Sequence, residues 1–137
     1  MRYLVDANVL SEATRKSPSS EVLDWLRRHE AQLVVDPIIL GELLFGILLL
    51  PKGKRRAALE RWFGATVKAL ECVDWTADTS TRWATLLASL RKRGRSMPIK
   101  DSLIAASALE HDLTLVTRNV RDFGATGVRL VDPFAVH

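Results

Sequence analysis

The sequence predicts an α/β fold with a mostly parallel central sheet, and three observations predict it. Short apolar runs rich in Val, Leu and Thr recur at residues 3–5, 33–35, 114–117 and 128–131. Stretches with apolar residues at helical spacing separate them, the alternation that parallel sheets require. The chain has 137 residues, 47% of them hydrophobic, with no internal repeat, low-complexity segment or linker. That is one domain spanning residues 1–137, large enough to bury about two thirds of its extended-chain surface.

Each element follows from local chemistry. Tyr3-Leu4-Val5 is a short apolar run closed by Asp6, as a buried strand reads. Residues 8–14 predict a short helix. Ser19 or Ser20 can cap a second helix, with Val22, Leu23 and Leu26 on one face. Leu33-Val34-Val35 predicts the second strand. Pro37 then opens a strongly apolar helix to about Leu50, which Pro51 and Gly53 break. Residues 55 to about 70 predict a helix with Leu59, Trp62 and Phe63 on one face, and Cys72-Val73 a short strand. A long helix from Thr76 to about Arg93 carries Trp83, Leu86, Leu87 and Leu90, and Gly94 ends it. Pro98 precedes a helix from Ile99 to about His111, with Leu103, Ile104, Ala108 and Leu109 inward. Residues 114–117 predict a strand, residues 118–127 a loop, and residues 128–131 the last strand.

Composition excludes several classes. The single cysteine, Cys72, rules out an internal disulfide and a Cys-rich zinc site; it reads as a small buried hydrophobe. The longest apolar run, residues 37–50, contains Glu42 and is too short to span a bilayer. Met1-Arg2 runs directly into the first strand, with no signal-peptide pattern. A soluble, cytoplasmic protein with no membrane partner is therefore expected. The net charge is +4. Eight of the twenty basic residues fall in two clusters: Lys52, Lys54, Arg55 and Arg56, then Arg91, Lys92, Arg93 and Arg95. Such clusters suit either an anionic partner or solvated helix ends, where cations complement the dipole.

In open α/β sheets, ligands bind beyond the carboxyl ends of the strands. That rule selects acidic residues here. Asp6 ends the first strand. Glu42 follows the second by more than a helical turn. Asp101 lies in the first turn of the helix near Ile99. Asp122 lies in the loop after residues 114–117, close to Asn119. Carboxylates brought together repel one another unless a cation sits among them. Oxygen ligands without Cys or His favour a hard ion, Mg²⁺ or Mn²⁺. Plainer roles stand beside this one. Asp6 can cap a helix, and Asp101 can complement a helix dipole. Glu42, the only charge in residues 37–50, needs a metal, a basic partner or an exposed position. No Gly-x-Ser-x-Gly elbow, phosphate-binding loop or Gly-x-Gly-x-x-Gly fingerprint occurs. His29, His111 and His137 are scattered, and the four tryptophans lie on helical patterns that read as core.

Four blocks carry a family resemblance. Tyr3-Leu4-Val5-Asp6-Ala7-Asn8-Val9-Leu10-Ser11-Glu12 resembles the opening of PIN-domain ribonucleases, especially VapC- and FitB-type toxins of bacterial toxin–antitoxin pairs. Ile39-Leu40-Gly41-Glu42-Leu43-Leu44-Phe45-Gly46 resembles their second acidic motif, and Pro98-Ile99-Lys100-Asp101-Ser102-Leu103-Ile104-Ala105-Ala106 the third. Leu113-Thr114-Leu115-Val116-Thr117-Arg118-Asn119-Val120-Arg121-Asp122-Phe123 resembles the fourth.

The resemblance implies a Rossmann-like α/β/α sandwich and Mg²⁺- or Mn²⁺-dependent endonucleolytic cleavage of RNA. Asp6, Glu42 and Asp101 would be the acidic, metal-holding core. Asp122 or Asn119 would fill the fourth position, and Asn8 would orient Asp6. Arg91, Lys92, Arg93, Arg95, Arg118 and Arg121 are the candidates for RNA contact. The resemblance also implies a small antitoxin partner and pairing as a homodimer, with the apolar segment 43–50 as part of that surface or as core. Two positions depart from the pattern. Many relatives carry Thr where this chain has Ala7, and Ser or Thr where it has Ile39. These departures motivate one alternative, a catalytically weak or dead RNA-binding or regulatory module; a separate alternative is a PIN nuclease in RNA processing without an antitoxin.

Overall fold

The computed structural model describes residues 1–135. His137 and its neighbour lie outside the described residues. Five strands form one sheet: β1 (Tyr3–Val5), β2 (Leu33–Val35), β3 (Glu71–Cys72), β4 (Thr114–Val116) and β5 (Leu130–Val131). All pair in parallel, in the order β3-β2-β1-β4-β5. The chain builds outward from β1 to β3, then crosses back to β4 on the other side of β1. The strand order therefore reverses between β1 and β4, where a crevice opens beyond the carboxyl ends.

Six helices connect the strands: α1 (Ala7–Leu10), α2 (Ser20–Arg28), α3 (Pro37–Leu48), α4 (Lys54–Trp62), α5 (Ala77–Lys92) and α6 (Ile99–Glu110). Their starts match the capping chemistry in the sequence. Ser19 accepts from the Val22 amide to cap α2, Asp36 accepts from Ile39 to cap α3 with Pro37 just inside, and Thr76 and Thr79 form a reciprocal box on α5. Gly94, at φ +71°, follows α5 in the left-handed conformation that ends helices. The core joins the sheet residues Leu4, Val5, Val34, Val35, Leu115 and Val116 to Ile39, Ile104, Leu90 and Phe123.

The differences from expectation are local. The helix at residues 8–14 divides into α1 and a 3₁₀ turn, Ser11–Thr14. The helix expected to about residue 70 stops at Trp62 and widens into a π turn, Phe63–Val67, where the Lys68 amide reaches back to the Phe63 carbonyl. Residues 118–127 contain a 3₁₀ turn, Val120–Phe123. On α6 the fully covered residues are the small ones, Ser102, Ala105, Ala106, Ser107 and Ala108, with Ile104; Leu103 and Leu109 are only partly buried. The helix is sandwiched between the sheet and α5, and small side chains permit that close approach. Cys72 is exposed, contrary to the expected buried site, because β3 is an edge strand and Val73 takes the inward position. Of the tryptophans only Trp25 is buried; Trp62, Trp75 and Trp83 are partly exposed, and Trp75 sits between β3 and α5 rather than on a helix.

Candidate active site

Asp6 stands at the switch point; Glu42 and Asp101 lie near enough to act on its carboxyl, and Asp122 near enough to act on that of Asp101. Asp6 directly follows β1 and Thr117 directly follows β4. The pairing Val5↔Val116 places them side by side. Asp6 is 5% exposed. One of its carboxylate oxygens accepts from the Ala7 amide at 2.8 Å, and the other accepts the Thr117 hydroxyl at 2.8 Å. Burial pushes the Asp6 carboxyl up to about 6; Thr117 opposes this, Glu42 and Asp101 add to it, and the Ala7 amide opposes it again.

Thr117 is a positioning residue that the sequence reading passed over. Its Oγ1 also receives the Asn8 side-chain amide at 3.3 Å and the Asn119 backbone amide at 3.1 Å. Asn8 in turn accepts from the Arg118 amide at 3.1 Å, so Asn8 stitches α1 to the segment after β4. A search for hydroxyls at strand ends, not only carboxylates, finds Thr117 from sequence. Asn119 reaches the site through its backbone; its carbonyl also accepts from the Asp122 amide at 3.0 Å.

Glu42 lies on α3 and is half-buried. Its Oε2 accepts from Lys100 Nζ at 2.7 Å, while Oε1 is buried without a hydrogen-bond partner. Asp101, one residue along from Lys100 in the first turn of α6, has its carboxyl raised by burial. Lys100 offsets this, and Asp122 and Glu42 reinforce it. Trp83 Nε1 donates to Ser102 Oγ at 2.9 Å, fixing the start of α6 against α5. Asp36, a further buried carboxylate at the strand ends, is used in capping α3.

Three of the candidate basic residues, Arg93, Arg95 and Arg121, line a cavity of about 570 Å³ that Asp122 also borders. Leu90, Met97 and Pro98 give that cavity an apolar wall. Arg91 and Lys92 occupy the last turn of α5, where they complement its dipole. Arg118 lies over the Phe134 ring at 4.4 Å. The Lys52–Arg56 cluster is largely tied to its own surroundings: Arg55 donates to the Thr14 carbonyl, and Arg56 pairs with Glu60.

Whether a divalent ion fits rests on the donors themselves. They are all oxygens, one buried Glu42 oxygen is unpartnered, and Asp6 and Asp101 are each raised by neighbouring carboxylates. That chemistry suits a hard cation. Among the described residues no group of three or more Asp, Glu, His or Cys side chains is already gathered as a metal centre. Lys100 Nζ places one positive charge against Glu42 Oε2.

A parallel five-stranded sheet with acidic residues at its switch point defines the class, and residues 3–128 match the PIN domain. The chain belongs to the PIN-domain family. It is 32% identical over 135 residues to the plasmid stability protein StbB of Pseudomonas syringae pv. tomato, covering 96% of this chain and 97% of that one. It is 31% identical over 135 residues to the VapC ribonuclease Y4jK of Sinorhizobium fredii, covering 96% of each. It is 28% identical to the toxin FitB of Neisseria gonorrhoeae, covering 96% of this chain and 97% of that one. The crystal structure of FitAcB from Neisseria gonorrhoeae superposes with a TM-score of 0.91 at 27% identity, covering 98% of this chain and 99% of that one.

Proposed function

We propose that this chain is a divalent-ion-dependent endoribonuclease and the toxin of a toxin–antitoxin pair. What supports the reading is pairwise: Glu42 and Asp101 lie near enough to Asp6 to raise its carboxyl, and Asp122 lies near enough to Asp101 to do the same, from four separate segments. Relatives named as a VapC ribonuclease and a toxin support the activity and the role.

Asp6, Glu42 and Asp101 would hold Mg²⁺ or Mn²⁺, with Asp122 completing the acidic wall. When bound, such an ion lowers the pKa of water and offsets charge that develops on a phosphodiester. The Thr117 hydroxyl and the Ala7 amide hold both Asp6 oxygens in fixed directions. Asn8 braces Thr117. Arg95 and Arg121, at the cavity beside Asp122, suit the RNA backbone on that side.

The two departures from the family pattern do not favour a dead module. Thr117 already supplies a hydroxyl to Asp6, so a hydroxyl at Ala7 is not required. Ile39 is fully buried in the core and contributes its backbone amide to Asp36. The end of α3 turns Phe45 and Leu48 outward, 63% and 47% exposed, and Leu49 just after it is 69% exposed. That apolar face suits a protein partner, an antitoxin or a second copy in a homodimer. Ile47 and Leu43 on the same helix are core.

The test is cleavage of structured RNA by the purified chain with Mn²⁺, with EDTA, and with Asp101→Asn. Cleavage that needs the ion and is lost in the variant supports the reading. Undiminished cleavage by a folded Asp101→Asn variant overturns it.

A further inference from the structure

Lys100 stands where a cation is expected. Its ammonium donates to Glu42 Oε2 at 2.7 Å, and the more distant Asp101 and Asp6 add to the stabilisation of its charge. The lysine is half-exposed, with 51% of its side chain accessible, so it can swing out without disturbing the core. An ion held by Asp6, Glu42 and Asp101 would take the unpartnered Oε1 of Glu42, on the same carboxylate whose Oε2 holds the lysine. Two cations at one carboxylate repel each other, most strongly where burial lowers the dielectric.

We propose that Lys100 is a tethered counter-ion: it neutralises Glu42 in the ion-free protein and must be displaced when a divalent ion loads, so it sets the ion concentration at which the site fills. The proposal rests on the divalent-ion reading above. It assigns Lys100 a role opposite to a ligand-positioning one. A lysine that merely held Glu42 in place for the ion would strengthen binding; a competing ammonium weakens it.

The experiment is calorimetric titration of Mn²⁺ into the EDTA-stripped full chain, with melting temperature read alongside. Lys100→Met is expected to bind Mn²⁺ about two- to fivefold more tightly than wild type, the scale of one partly exposed ion pair. It should melt lower than wild type without the ion and gain more on adding it. Lys100→Arg, which keeps the charge, should stay near wild type. Lys54→Met removes the same charge from an exposed residue at the start of α4 and should leave affinity unchanged. If Lys100→Met does not fold, Lys100→Gln is read the same way. Unchanged or weaker Mn²⁺ binding in the uncharged variant overturns the proposal, as does an equal gain from Lys54→Met. If Mn²⁺ binds neither wild type nor variant, the divalent-ion reading falls and the proposal with it.

Discussion

Thr117 donates to Asp6 and accepts from Asn8 and from the Asn119 amide. Thr117→Val keeps the shape and removes the hydroxyl. It is expected to cost about 1–3 kcal/mol in urea unfolding, since the buried Asp6 oxygen loses its donor. RNA cleavage should fall with it, while Thr117→Ser should keep most of both. The Asp6 carboxyl makes a second prediction at this scale. Burial, its largest cause, raises it in the folded protein from 3.8 to about 6. The folded state therefore binds this proton more tightly than the unfolded chain. The resulting stability is fully present below 3.8 and is lost as pH rises through about 6. In EDTA, Asp6 should add roughly 1.4 kcal/mol on moving from pH 7.5 to pH 5. Asp6→Asn should remove that part of the slope in urea titrations at the two pH values.

At the scale of elements, α3 shows what periodicity reveals and where it stops. Pro37 at its start was readable in place, because a proline suits the first helical position; the sequence reading passed over Asp36, which caps it. Which of its leucines face the core was not readable, because apolar residues surround the helix on nearly every side. Only packing separates buried Ile47 from exposed Leu49. Leu49→Lys, with Phe45→Ser, is expected to change the stability of the isolated chain by less than about 0.5 kcal/mol. The same changes should abolish self-association in sedimentation and weaken capture of a cognate antitoxin. Ile47→Ala, by contrast, should cost about 2–5 kcal/mol. Cys72 illustrates the converse limit. As a lone cysteine it reads as a small buried hydrophobe, but β3 is a two-residue edge strand and leaves it outside. Edge or centre is a property of the sheet, which no local pattern records.

For the whole molecule, the net charge of +4 matters less than its arrangement. Arg93, Arg95 and Arg121 come together beside Asp122 from segments distant in sequence. The equally basic cluster near Lys52 is partly spent on local carbonyls and Glu60. Replacing Arg95 and Arg121 with Ala is therefore expected to weaken RNA binding, measured in EDTA, and to lower its salt slope by about 1–1.5, close to 0.7 per lost contact on single-stranded RNA. Replacing Lys52 and Lys54 should change the slope by much less. The sequence by itself determined the strand and helix alternation, the caps, and the candidate acidic residues, because each is written in spacing or in a strand-end position. Tertiary structure alone decided that Lys100 meets Glu42, that Thr117 meets Asp6, and that Asp122 lies near enough to raise the Asp101 carboxyl. Lys100 and Glu42 lie 58 residues apart, and Thr117 and Asp6 lie 111 apart. Their contacts exist because β4 returns to pair with β1 and α6 packs beside α3, and such non-local pairing leaves no mark on the local pattern of residues.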